Sequence, residues 1–505
     1  MSENLVEALA RISNKARHMA VVTIGNVRQC GEQLKSRINI ENTRQLRQSG
    51  FTVGTKFKIS YAKGLVEITA DTNGTNTIAP KRFGRRDGSE VVGERLDLRS
   101  YQIYEKFKGE EKVLALYLEG RIVFMHIPTR ARSLDRTEKL MSAVKAGKLR
   151  TAAFYSGIGT LDAAMHEGFA KEDIESEIAL ANDSWEIAID AMLNDNPAVT
   201  NATRTFTGGI EQFVASGIRM NDVDMAVIGI PCKGASKLNV GTRDVPEFHP
   251  WAGHQVLNAV MALQQMNFPP LVLIENVTAY ADTASLSMIT RIFNEQGYDT
   301  QLVGDRDDDG KYKGINSTHY GDIERRVRMA LLAYPKDVAI SFDGMRKTGP
   351  STATVGDIRL SENLVDPAEY EKGKHLNRLS KVEKGWRNRI VDDSDNITPS
   401  TSADCWKQRI EDPKFKHPSD KSKCRLPLPE EHAALKGHDP ILINTMLANS
   451  NAHTALGNGT AKRCWVEFAR TLARSLQDCL HTWERLYPAK EAKQNTAGQM
   501  SLFAL

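Results

Sequence analysis

The sequence predicts an α/β fold built on a parallel sheet, preceded by a smaller β-rich domain and interrupted by an irregular insert. Three features predict it. Short apolar strands alternate with helical patterns over residues 150–340. Before residue 150, apolar and polar side chains alternate around tight turns. Over 341–424 both periodicities vanish, and Lys, Asp, Ser, Pro and Gly dominate.

The elements follow in chain order. FTVGTKFKISYAKGLVEITAD (51–71) reads as a hairpin about a Lys-Gly turn, and KVLALYLEGRIVFMHIP (112–128) as a second about Glu119-Gly120. Between them, KRFGRRDG (81–88) reads as a basic loop and a weak candidate for nucleic-acid contact. RTAAFYSGIG is a strand running into a glycine turn, and ESEIALAND, DMAVIGIPC and PPLVLIENV are further strands. Helical patterns lie between them, such as GHQVLNAVMALQQM (253–266), which is βαβ logic with helices on both faces of a sheet. The stretch 341–424 is either a disordered segment or a functional module of irregular structure. Helical signals return at LPEEHAALKG (428–437) and AKRCWVEFARTLARSLQDCLHTWERL (461–486), and a polar tail ends in an apolar cluster.

The 505 residues are 41% hydrophobic and 26% charged, with a formal net charge of +4, which permits a nucleic-acid partner without demanding one. Six cysteines are scattered with no CxxC pair, which argues against a structural zinc site and against a disulfide framework, so no metal is expected. A reducing, cytoplasmic compartment is the natural setting. The N-terminus has no apolar signal region, and no apolar run is long enough to span a bilayer, so no membrane association is expected.

Chemistry concentrates at strand ends. In GIPCKGAS (229–236), Cys232 follows a proline at the carboxyl end of a buried strand, where open α/β sheets place their ligands. In isolation such a cysteine is most often a small core residue. In FYSGIGTLDAAMHEG (154–168), Gly157 and Gly159 let the backbone approach a ligand at a helix N-terminus. Asp183, after the next strand, stands where a carboxylate holds a ribose hydroxyl in other nucleoside sites. Together these suggest an adenosine-containing cofactor, and the missing third glycine counts against NAD.

The order of these motifs resembles the DNA cytosine-5 methyltransferase family. A glycine turn comes first, then Pro231-Cys232, then Glu275-Asn276-Val277, then YGDIERRVRMALLAYP (320–335), and last a Pro-Glu-Glu helix start and a Leu-Gly-Asn turn at 456–458. The resemblance covers about 150–340 and 425–480 and leaves 1–149 aside. It implies a Rossmann-like S-adenosylmethionine-dependent methyltransferase sheet with an inserted target-recognition domain, plus the extra N-terminal β-rich domain. The implied boundaries are 1–149 accessory, 150–340 catalytic, 341–440 target recognition, 441–486 helices completing the catalytic domain, and 487–505 tail.

The resemblance also implies roles. Tyr155, Ser156, Gly157, Ile158 and Gly159 would wrap S-adenosylmethionine, with Asp183 on its ribose and Asn458 near it. Cys232 would be the nucleophile, Glu275 and Asn276 the Glu-Asn-Val motif, and Glu324, Arg326 and Arg328 a pattern usually written Gln-x-Arg-x-Arg. A thiolate adding at C6 of cytosine makes C5 nucleophilic, and Glu275 would meet the charge developing at N3. Arg326 or Arg328 would hold the cytosine carbonyl and support Cys232. Because C5 is hidden in a duplex, the base must be flipped out. KGASKLNVGTRDVPEFHP (233–250) has the Gly, Ser, Asn and Pro of a mobile loop, and its Lys233, Ser236, Lys237 and Arg243 would meet double-stranded DNA. Departures from the pattern are Lys233 after the cysteine, Glu324 for glutamine and Thr160 for glycine. An RNA cytosine-5 methyltransferase and a catalytically inactive DNA-binding protein are the alternatives; transfer of labelled methyl groups to either polymer, or to neither, separates the three. A flipped-base monomer is the simplest assembly.

QMSLF (499–503) resembles the bacterial sliding-clamp binding pentapeptide, with Leu502 and Phe503 as apolar anchors and Gln499 as a polar contact.

Overall fold

A computed structural model describes the chain except residues 1–4, 31–32, 42, 85–88, 109, 236–245, 373–388, 408, 410, 421 and 487–505. It divides into two compact units: one runs to Thr137 and includes Asn294–Tyr298, and the other holds Glu138–Phe293 and the chain from Asp299 onward.

The first unit is a nine-stranded antiparallel sheet. Its strands are β1 (His18–Cys30), β2 (Gln33–Ile40), β3 (Lys56–Ala62), β4 (Leu65–Ala70), β5 (Asn76–Thr77), β6 (Ala79–Gly84), β7 (Glu90–Ser100), β8 (Lys112–Leu118) and β9 (Arg121–His126). They lie in the order β5-β3-β4-β9-β8-β1-β2-β7-β6. Alternation decides which side chains face in. Val66 and Ile68 of β4 are fully buried with Phe57, Ile122 and Phe124, while Glu67 between them pairs with Arg121. Both hairpins read from the sequence are present, β3–β4 and β8–β9. The basic stretch from Lys81 differs from the loop expected. Lys81 and Arg82 lie in β6, paired with β7, and their charges meet Glu41 and Glu90. Edge-strand charges of this kind protect a sheet edge from pairing with other chains.

The second unit carries β10 (Lys148–Phe154), β11 (Glu175–Asp183), β12 (Arg204–Thr207), β13 (Met225–Gly229), β14 (Leu271–Asn276), β15 (Tyr298–Val303), β16 (Asp305–Arg306), β17 (Tyr312–Asn316) and β18 (Val327–Pro335). The sheet order is β12-β11-β10-β13-β14-β18-β17-β16, with β15 also on β18. From β12 to β14 the strands are parallel. The sequence predicts a parallel sheet; β18 departs from it by running antiparallel to β14, since after helix Ala284–Glu295 the chain passes through β15–β17 and returns beside β14. The chain winds outward in both directions from β10, so the crevice at the carboxyl ends of β10 and β13 is the topological switch point.

Helices cover the sheet. Helix Arg463–Leu486 buries Trp465, Phe468, Leu472 and Leu476, a stripe at three- and four-residue spacing. It lies so close to helix Thr160–Ala170 that a Cβ on Gly168 would meet the Val466 carbonyl oxygen at 2.4 Å. Among the described residues, 341–425 form an irregular module. A three-stranded sheet, β19 (Ile390–Val391), β20 (Lys414–Lys416) and β21 (Cys424–Arg425), packs Val391 and Phe415 against Val355 and Leu435. Its centre also holds a charge: fully buried Arg425 makes bonds of 2.6 and 2.8 Å to the two oxygens of Glu431. Such a fork satisfies both partners, which a buried ion pair requires. No described helix is long and apolar enough to cross a membrane.

Candidate active site

The parallel register sets Gly229, the last residue of β13, opposite Glu275 of β14. Pro231 then turns the chain, and Cys232 opens a single 3-10 turn, Cys232–Gly234. The Cys232 thiol is free and half-buried. A Cβ on Gly229 would come within 3.5 Å of the Tyr155 carbonyl oxygen and 4.0 Å of Glu275 Oε2. The ends of β10, β13 and β14 therefore converge on one point, and glycine leaves it open.

Arg328 Nε lies 3.0 Å from Glu275 Oε1. β18 brings it there by pairing antiparallel with β14, with Met329 opposite Asn276. Burial pushes the Glu275 carboxyl above the ordinary carboxylate range, and Arg328 and Arg326 only partly oppose it. Arg326 is buried more deeply. Its guanidinium donates to the Gly457 carbonyl at 2.9 Å and to Ser400 Oγ at 3.1 Å. Burial pushes it down to about 10, while Glu324, Glu275 and Cys232 lie close enough to oppose the fall. Arg328 thus pairs directly with Glu275, while Arg326 lies close enough to feel Cys232 and Glu275 and also ties the site to the C-terminal helices.

Glu324, standing where glutamine is usual, is fully buried. Burial raises its carboxyl, but Lys436, 2.7 Å away, and Arg326 outweigh that and hold it below the usual range. A carboxylate fits here because the chain supplies Lys436 and Ser400 as donors. Asn276 faces away from the opening. Its Nδ2 donates to the Ile230 carbonyl at 3.0 Å and its Oδ1 accepts from Val277 N at 2.8 Å. It holds the Pro-Cys turn from beneath.

The glycine turn after β10 runs through the left-handed region, which glycine adopts freely and which strains only Tyr155. Tyr155, Gly157 and Gly159 have φ of 55°, 54° and 72°. Tyr155 is held by its hydroxyl, which donates to Gln255 Oε1 at 2.9 Å. Asp183 braces the turn, accepting from Gly157 N at 2.8 Å and Trp185 N at 2.9 Å. Ile158 lies in one apolar cluster with Leu456, and Trp185 packs against it. Asn458 is the exposed last residue of helix Asn449–Asn458, and its carbonyl accepts from Arg326 at 3.4 Å.

The family model for C-5 cytosine-specific DNA methylase matches residues 149–452, more than half of the chain. The chain belongs to this family. Among solved structures it is similar to S. pombe Dnmt2 methyltransferase over 66% of this chain and 99% of that one, at 16% identity and a TM-score of 0.47. A mutant form of Spodoptera frugiperda DNMT2 matches over 65% and 99%, at 15% identity and 0.47. Entamoeba histolytica methyltransferase EhMeth matches over 66% and 98%, at 17% identity and 0.47. No curated protein matches the chain.

Cytosine-5 methylases of this family take their methyl group from S-adenosylmethionine. The glycine turn fits that cofactor. A Cβ built on Gly157 meets nothing within 4 Å, so the left-handed turn borders open space at a helix N-terminus. Thr160, the departure from the family's glycine, has a structural use: its Oγ1 accepts from Thr460 N at 3.0 Å and joins the cofactor turn to the Gly-Asn turn.

Lys233 lies with its ammonium 4.8 Å from the centre of the Trp251 ring. Ser236, Lys237 and Arg243 fall outside the described residues, as do Gln499, Leu502 and Phe503. Sequence reasoning missed Asn196, Ser400 and Lys436. Asn196 is buried and donates to the carbonyls of Ile158 and Gly159 at 3.0 and 2.8 Å. No spacing signals such a residue, since it acts from a distant helix end.

Proposed function

We propose that the chain is a DNA cytosine-5 methyltransferase that modifies a flipped cytosine in duplex DNA. The observation that carries this reading is the Glu275–Arg328 pair, set opposite Gly229 at the strand end that leads into Pro231-Cys232 and beside the glycine turn. The DNA substrate is favoured by the family's description and by the large module between β18 and the C-terminal helices.

Cys232 adds as thiolate to C6 of cytosine, and a C5–C6 electron pair moves toward N3. Glu275, whose carboxyl is raised by burial, donates a proton or hydrogen bond to N3. Arg328 holds Glu275 in place, and Arg326 or Arg328 holds the cytosine carbonyl and supports Cys232. Bound S-adenosylmethionine supplies an electrophilic methyl group to C5. A base then removes the C5 proton, the Cys232 sulfur leaves C6, and the N3 proton returns to Glu275. Tyr155 to Gly159, with Asp183 and Asn458, hold the cofactor. Lys233, Ser236, Lys237 and Arg243 contact the duplex. The module over 341–440 reads the target, residues 1–149 are an accessory domain, and the protein works as a cytoplasmic monomer. QMSLF docks on the sliding clamp.

Bisulfite sequencing of DNA from cells expressing the chain, beside a Cys232→Ala control, tests the reading. Modified cytosines in one short context, absent from the control, are expected. Unmodified DNA together with labelled methyl groups in RNA would replace the substrate, and no transfer to either would leave a binding protein.

A further inference from the structure

We propose that Cys405, His432 and His453 form a binding site for one zinc ion, which fastens the irregular module to the C-terminal helices. The three residues come from three elements. Cys405 starts a 3-10 turn in the module, His432 lies on helix Pro429–Leu435, and His453 lies on helix Asn449–Asn458. One ligand atom from each lies within 4.8 Å of the other two. All three are buried, Cys405 and His432 completely.

The two histidines meet at the centre: His432 Nδ1 and His453 Nδ1 face each other at 3.1 Å, an arrangement that one proton or one shared ion can fill.

The donor set selects the ion. One thiolate with two imidazoles suits zinc, whose bonds are about 2.0–2.3 Å, so neighbouring ligand atoms stand about 3.3–3.7 Å apart. The observed spread needs only a small side-chain contraction. Binding releases the Cys405 thiol proton to solvent and leaves both histidines uncharged, giving a site of charge +1. Three protein ligands leave the fourth tetrahedral position to solvent.

The location gives the site its use. The Cys405 turn is already pressed on the His453 helix, where Thr454 Oγ1 donates to the Ala403 carbonyl at 3.2 Å and a Cβ on Gly457 would meet Ala403 Cα at 2.3 Å. The same helix offers the Gly457 and Asn458 carbonyls to Arg326. An ion here fixes the module against the floor of the active site. The absence of a CxxC pair hid this arrangement, because no two ligands are near in sequence.

The untagged full-length chain should carry about one zinc per molecule by mass spectrometry after expression with zinc. The stripped chain should take up Co(II) with a sulfur-to-metal charge-transfer band and tetrahedral visible bands, and zinc should raise its melting temperature. Cys405→Ser should lose the charge-transfer band, and His453→Ala should lose the metal. A wild-type chain that contains no zinc and gives no charge-transfer band with Co(II) overturns the proposal, and so does an undiminished band in folded Cys405→Ser. The wild-type spectra decide the matter even where a variant fails to fold.

Discussion

Arg328 Nε meets Glu275 Oε1 at 3.0 Å, and the two residues come from antiparallel strands, β18 and β14. The pair divides one task. Burial favours the protonated carboxyl, and the guanidinium limits how far that goes. Removing the arginine leaves the carboxyl in place but raises it further and frees its orientation. Arg328→Ala should lower kcat by about 10²–10³, with a smaller effect on cofactor affinity. Arg328→Lys should recover only part, because a lysine lacks the planar fork. Wild-type turnover in Arg328→Ala would remove the residue from the site.

Asn276 acts one layer below. Its bond to the Ile230 carbonyl fixes the residue two before Cys232. Asn276→Ala leaves that carbonyl without its donor and lets the Pro-Cys turn drift. The expected cost is about 1–3 kcal/mol in folding stability. Methyl transfer should slow while duplex affinity stays near wild type. Affinity falling in parallel with rate would make Asn276 a direct contact instead.

Gly157 tests the cofactor turn. Its φ of 54° is left-handed, and the position of its absent Cβ is open. Gly157→Val places a branched side chain there and strains the backbone by about 1–2 kcal/mol. Calorimetric titration with S-adenosylmethionine should show affinity reduced tenfold or more, by a blocked site as well as a strained turn. Unchanged affinity would move the cofactor elsewhere.

Much of this was legible in the chain. Parallel strands of the core reveal themselves as apolar runs, and Cys232, Glu275 and the glycine turn lie at their ends. What stayed hidden was what acts at a distance. Asn196 secures the glycine turn from a helix end, and nothing local marks it. The antiparallel β18 was unreadable because an apolar strand looks the same in either direction. The module over 341–425 shows no periodicity because its strands are only two or three residues long and its few apolar residues share the centre with charge, as with Arg425 on Glu431. Lys81 and Arg82 misled for the opposite reason: an exposed edge strand can be as basic as a loop.

The tail makes a separate claim. Deleting Gln499 to Phe503 should abolish capture of the chain by immobilised sliding clamp and leave methylation of short duplexes unchanged. Clamp capture that survives the deletion would assign the pentapeptide to chance.

Asp162 gives a pH dependence with a definite sign. It lies in the first turn of the helix after the cofactor turn, buried, with Oδ1 unpartnered. Burial pushes its carboxyl up to about 7. In the unfolded chain it titrates near 3.9. A raised folded value means that the native state prefers the protonated form. Its contribution to stability is therefore full below about pH 4, drains as the unfolded chain ionises, and is gone once pH passes about 7. The total swing is up to about 4 kcal/mol. Asp162→Asn keeps the shape and has no proton to lose. Its melting temperature relative to wild type should climb from pH 4 to pH 7 and then level off. Parallel melting curves for the two chains across that range would mean that the native carboxyl ionises as freely as an exposed one.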